Sequence, residues 1–114
     1  RDRGRAILAE AGRSTGRVLY EAGLDGGATA AGRETGAIAP GLWADLVAVD
    51  TGNPVLAGRR GDTALDSLIF AGGDGLVRDV WAAGRHVVTD GRHGARDAII
   101  ADYMACIRRL QDRL

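Results

Sequence analysis

The run Leu46-Val47-Ala48-Val49, set behind the turn formers Pro40-Gly41 and a single acid at Asp45, constrains the fold most. Four consecutive apolar residues between turn signals read as a short strand over Asp45–Val49, preceded by a brief strand at Ala37–Ala39. A strand that is apolar on both faces is expected to lie sandwiched, because strands with one wet face alternate polar with apolar. The stretch therefore demands a partner sheet and a covered face.

The rest of the chain offers modest material for that cover. It has 114 residues, of which 18 are glycine, and its aromatic residues are two Trp, two Tyr and one Phe. A core made mainly of Ala, Val, Leu and Ile buries little area per residue, and the glycines add entropy to the unfolded chain. An isolated chain of this kind is expected to be marginally stable.

Around the apolar run the pattern alternates helix and strand. "RDRGRAILAEA" reads as the end of a helix with Ile7, Leu8 and Ala11 on one side and a stop at Gly12. "RSTGRVLYEAG" follows, with Ser14 or Thr15 as N-cap and Val18, Leu19 and Ala22 as the buried stripe. Gly26-Gly27 is expected to break it, leaving "ATAAG" as one further turn before Gly32. "NPVLAGRRG" is a loop. "DTALDSLIFAGG" is a short helix with Asp62 as N-cap, Leu65, Leu68 and Ile69 inward and a stop at Gly72-Gly73.

"VRDVWAAGRHVVTDG" has the grammar of a hairpin. Val77, Asp79, Trp81 and Ala83 alternate with Arg78, Val80 and Ala82, a turn falls at Ala83-Gly84, and His86–Thr89 returns to an end at Asp90-Gly91. The last stretch is a long amphipathic helix with Ile100, Tyr103, Ile107, Leu110 and Leu114 on one stripe. Asp97 in its first turn and Arg108, Arg109 and Arg113 in its last suit the helix dipole.

Charge and composition exclude several functions. Fifteen basic residues, all Arg, balance fifteen acidic ones without forming a basic stripe, which argues against nucleic acid as a partner. No run approaches the roughly 20 apolar residues of a membrane span, and the charged opening is not expected to act as a leader. Cys106 is the single cysteine, so no internal disulfide forms, and a reducing, cytoplasmic setting is expected.

Nor does the sequence display an active site. His86 and His93, seven apart with no HxH or HExxH, lack metal-ligand spacing and read as solvated or hydrogen-bonded. Ser14, Ser67 and Cys106 sit in no nucleophile elbow, and Cys106 reads as a buried structural thiol. "GATAAGRE" has P-loop glycine spacing, but Arg33 and Glu34 stand where Lys and Ser/Thr are needed. "GGDG" at 72–75 precedes a strand, so no helix N-terminus faces an anion there. Asp62 and Asp66 share a helical face. Asp45 is the most interesting acid, read as capping the Pro-Gly turn through backbone N–H groups. No catalytic, cofactor-binding or metal-binding residue is assigned.

Three blocks carry a family resemblance. "TGAIAPGLWADLVAVD" resembles the G-x-[IL]-x-P-G-x-x-A-D-[LIV] stretch near the C-terminal end of the amidohydrolase superfamily, through Gly36, Ile38, Pro40, Gly41, Ala44, Asp45 and Leu46. "VRDVWAAGRHVVTDGRH" resembles that superfamily's next block, and "GRVLYEAGLDGGATAAGRETG" its preceding helix pair. Trp43 departs from the usual small or charged residue. With "LDSLIFAGG" and the Arg-rich last helix, the pattern is most similar to the formimidoylglutamate deiminase family; guanine or cytosine deaminase and chlorohydrolase types share much of it.

The resemblance implies an α+β segment of a longer chain. Residues 1–35 would be the last helices of a TIM-like (β/α)8 barrel. Residues 36–92 would be C-terminal strands of a small composite β-sandwich, with a short helix inserted at 62–71, and 93–114 a C-terminal helix packed on the body. It also implies a divalent metal, usually zinc, held upstream of Arg1, and hydrolysis of N-formimidoyl-L-glutamate to N-formyl-L-glutamate and ammonia. The segment itself would be non-catalytic and bind no stoichiometric zinc. Its partner would be the upstream part of the same polypeptide, with the full enzyme a homodimer. A different reading makes the chain a stand-alone interaction module that pairs through Ile100, Tyr103, Ile107 and Leu110.

Overall fold

Helix α1 (Thr15–Ala31) starts where the sequence offers a cap: the Ser14 hydroxyl oxygen accepts from the Arg17 amide at 3.1 Å. It runs straight through Gly26-Gly27, contrary to the expected break there. Those glycines weaken the helix by about 1 kcal/mol each relative to Ala but keep their N–H groups, so the ladder continues. The stop comes at Gly32, whose φ of 64° turns the chain left-handed while its N–H and that of Arg33 return to the last carbonyls. Val18 and Leu19 are half-buried, whereas Ala22 of the expected inward stripe is exposed. These coordinates, a computed structural model, describe residues 11–114. The helix read over residues 1–12 falls mostly outside them, although Gly12, its expected stop, has φ 76°.

No strand forms at Ala37–Ala39. Gly36 takes φ 98°, and the loop closes on itself when Trp43 N–H donates to the Glu34 carbonyl at 2.8 Å. Ile38 is consequently 90% exposed. Strand β1 (Leu46–Val49) follows, then helix α2 (Asp62–Phe70), a 3-10 turn (Asp74–Leu76), β2 (Val77–Ala82), β3 (Arg85–Thr89), the short β4 (Arg92–His93) and helix α3 (Arg96–Gln111). The four strands form one antiparallel sheet in sequence order, with Leu46 opposite Trp81 and Trp81 opposite His86. Two left-handed pairs, Ala83-Gly84 and Asp90-Gly91, make the tight connections that the twist of antiparallel strands favours.

Among the described residues β1 is an edge strand and Val47 is 57% exposed, so the cover expected on both sides of the apolar run is not supplied by them. Burial elsewhere is thin. Among the described residues only Leu56 and Leu76, each 3% exposed, make a buried hydrophobic core, joined by Ser67 and Gly16. The chain exposes 8554 Å², against about 5,900 Å² for a compact monomer of its mass. Its radius of gyration is 18.1 Å, where about 13 Å is usual for this length. Helix α3 is the clearest case: none of its residues is buried, and among the described residues it packs closely against no other helix or strand.

Candidate functional site

Three places concentrate interactions, and each is assembled from residues far apart in sequence. At the first, α2 delivers two carboxylates to the N-terminus of α1. Asp62 and Asp66 lie one helical turn apart and so face the same way. An Asp62 oxygen accepts from the Ser14 N–H at 2.7 Å, and an Asp66 oxygen accepts from the Gly16 N–H at 2.8 Å. These are the donors a helix start leaves unpaired, and the positive end of the helix dipole faces both acids. Asp62 also takes the Arg17 guanidinium, which pushes its carboxyl below the ordinary range, with the Ser14 amide adding to the effect and partial burial opposing it. Arg17 is raised in turn, mainly by that bond and then by Glu21.

Asp62 is therefore not an N-cap, as its position suggested. Gly61 occupies that place, and the Asp62 side chain reaches across to another helix. Helix-to-helix approach explains Gly16 as well. A Cβ there would lie 2.3 Å from Asp66 Oδ1 and 2.6 Å from Asp66 Cα, so only glycine lets the two elements meet.

The second place centres on Asp45. Its carboxylate accepts from the Ala83 N–H at 2.8 Å and from Arg33 at 2.9 and 3.1 Å. The Ala83 amide is the largest cause of its lowered pKa, followed among the favourable ones by Thr35 and Arg33. The Arg33 guanidinium lies over the Trp43 ring at 4.6 Å, which gives Trp43 its role. Asp45 thus fastens the β2–β3 turn to the loop after α1. The expected cap of its own Pro-Gly turn is replaced by a bond 38 residues away.

Third, an open cleft of about 550 Å³ separates α1 from β1. Gly23, Gly27 and Ala28 form its helical wall, and Leu46, Val47 and Trp81 its sheet wall. Its lining is mainly apolar, with Thr35 and Asp45 as polar members.

The remaining candidates do not converge. His86 Nε2 lies 2.8 Å from Asp79 Oδ1, with the imidazole stacked on Trp81 at 4.6 Å. His93 Nδ1 accepts from the Ala95 N–H at 3.0 Å. Among the described residues no group of three or more His, Cys, Asp or Glu could hold a metal, so these residues do not fit a zinc centre. Ser14 is occupied as a cap and Ser67 is buried inside α2. Cys106, expected to be buried, is exposed on α3. No described helix is long and apolar enough to cross a membrane.

The fold of this chain is similar to the crystal structure of an amidohydrolase from Brucella melitensis, with a TM-score of 0.78 and 34% identity. The match covers 96% of this chain and 24% of that one. In sequence it is 45% identical over 97 residues to formimidoylglutamate deiminase of Pseudomonas aeruginosa. Those residues are 85% of this chain, which spans about a fifth of that relative (21%). No family model matches the chain. The motif resemblance is thus matched in both sequence and fold: the chain is similar to a segment of formimidoylglutamate deiminase and to a segment of an amidohydrolase.

Proposed function

We propose that this chain is the C-terminal, non-catalytic part of a metal-dependent amidohydrolase that removes ammonia from N-formimidoyl-L-glutamate. The 45% identity to formimidoylglutamate deiminase carries this reading. The thin core, the edge position of β1 and the uncovered α3 support it, since each is a surface that further polypeptide would cover. In this reading α1 belongs to the last helices of a barrel, and β1 to β4 form part of a small sandwich. The chain's own work is mechanical. The Asp62 and Asp66 contacts seat α1 on α2, and Asp45 fastens the hairpin to the end of α1.

A bound divalent metal such as zinc would supply activated water for attack on the formimidoyl carbon. Its ligands lie outside this chain in this reading, and no step is assigned to residues described above. The enzyme is proposed to be cytoplasmic and homodimeric.

The test is an assay of the full-length polypeptide on N-formimidoyl-L-glutamate, guanine, cytosine and a chlorinated triazine. Release of ammonia with N-formyl-L-glutamate from the first, lost on chelation and restored by zinc, is expected. Preferential turnover of an aminated or chlorinated ring would replace the substrate assignment while keeping the superfamily. Stoichiometric zinc on the 114-residue chain alone would overturn the division of labour.

A further inference from the structure

Helix α3 leaves the sheet through His93, Gly94 and Ala95, and among the described residues it packs closely against no other helix or strand. Its direction is therefore set where it starts. Ala95 occupies the N-cap, and its methyl group can accept no hydrogen bond there, unlike the Ser, Thr, Asp or Asn that usually stands in that place. His93 supplies an acceptor instead. Its Nδ1 takes the Ala95 N–H at 3.0 Å, in the manner of an Asx turn with an imidazole in place of the short oxygen-bearing side chain. The neighbouring bonds run between backbone groups: Gly94 N–H donates to the Val87 carbonyl at 3.2 Å, and Ile99 N–H to the Ala95 carbonyl at 2.9 Å.

A backbone N–H can only donate, so Nδ1 has to present a lone pair, and the bond exists only while the imidazole is neutral. The charges around the joint act in the same direction. Arg92 and Arg96 stand on either side of it against one carboxylate, Asp97, which lies 2.9 Å from Arg92 and 3.9 Å from Arg96. Asp90, in the turn before β4, is taken by Arg78 at 2.9 Å, and β3 opposes His93 with the uncharged Val88. A second proton on the ring would set a cation at the positive end of the α3 dipole, near two guanidinium groups.

We infer that His93 is a pH-sensitive hook: neutral, it fastens the start of α3 to β4, and protonated, it lets the first turn of the helix go. Imidazole is the side chain whose charge ordinarily changes between about pH 5 and 8. Because the neutral ring makes the bond, the hook holds at the upper end of that range and releases as pH falls through it. None of these groups takes part in the proposed reaction, so the hook stands or falls apart from the deiminase reading.

Hydrogen–deuterium exchange on the full-length polypeptide, expressed as protection over the intrinsic rate at each pH, tests this. Between about pH 7.5 and about pH 5.5 the Ala95 and Ile99 amides are expected to lose protection at least about tenfold, while the Gly94 amide, held by Val87, keeps its own. His93→Asn offers a carbonyl oxygen to the same N–H and does not titrate, so protection is expected to stay level across that range. His93→Phe keeps a ring without an acceptor and is expected to show the low level at both ends. His86→Asn alters the other histidine, paired with Asp79, and is expected to keep the wild-type response. Level protection in the wild type, an equal loss at Gly94, or full Ala95 protection in His93→Phe overturns the hook. So does a pH response that survives His93→Asn or vanishes in His86→Asn.

Discussion

Helices α1 and α3 are nearly equal in length, 17 and 16 residues, yet they are held in opposite ways. The first is fixed by specific polar contacts: two carboxylates from α2 meet its N-terminal amides, and a buried glycine sets the distance. The second carries an apolar stripe, and among the described residues little packs against it. Tyr103 is 62% exposed and Leu110 52%, with Ile100 and Leu114 also exposed. An apolar stripe states that a helix needs a neighbour. It does not say which one.

That contrast can be broken at α1 or sharpened at α3. The largest effect is expected from Gly16→Val, since its side chain would occupy the space of Asp66 Oδ1 and Cα. A loss of about 3 kcal/mol is expected, read as a lower denaturant midpoint with α3 helicity unchanged. Acidification should act on the same seat and on the hairpin. Asp45 and Asp62 both have lowered pKa values, so their contribution is fully present above the unfolded carboxylate value near ~4 and disappears as pH falls through their folded values. Acid titration followed by amide exchange should show the Ser14 and Ala83 amides losing protection below about pH 4, while those in the middle of α3 keep theirs.

Smaller changes separate the contacts. Asp66→Ala leaves the Gly16 amide without its acceptor and should cost about 1 kcal/mol in a thermal or urea melt. Ala83→Asn should raise stability by about 0.5 kcal/mol, because Ala83 sits at φ 52° and asparagine tolerates that region better. Leu110→Gln should change the 114-residue chain by no more than about 0.5 kcal/mol, its side chain lying in solvent. In the longer polypeptide the same substitution should cost several times more if α3 is covered there.

What was legible in the sequence was local. Ser14 as a cap, the Ala83-Gly84 and Asp90-Gly91 turns, the hairpin strands and the last helix all follow from interactions within a few residues. The misreadings involve groups whose partners are distant. Gly26-Gly27 looked like a break, but glycine ends a helix only where the backbone turns left-handed, and that choice fell to Gly32. Asp62 and Asp45 looked like caps of their own turns because a short carboxylate next to a turn usually is one. Their partners, Ser14 and Ala83, lie 48 and 38 residues away. Ala37–Ala39 had strand-like residues, but the left-handed Gly36 and the Trp43–Glu34 bond close that segment into a loop.

By itself the sequence determined where helices and turns begin and which segments carry apolar faces, since those depend on backbone preference and residue period. It also carried the resemblance, through Gly36, Pro40, Gly41, Asp45 and the hairpin block. Only the tertiary structure decided that β1 lies at an edge, that Gly16 admits Asp66, and that Asp45 holds a distant turn. Those outcomes turn on which surfaces meet in space, and short-range pattern carries no record of a contact formed across dozens of residues.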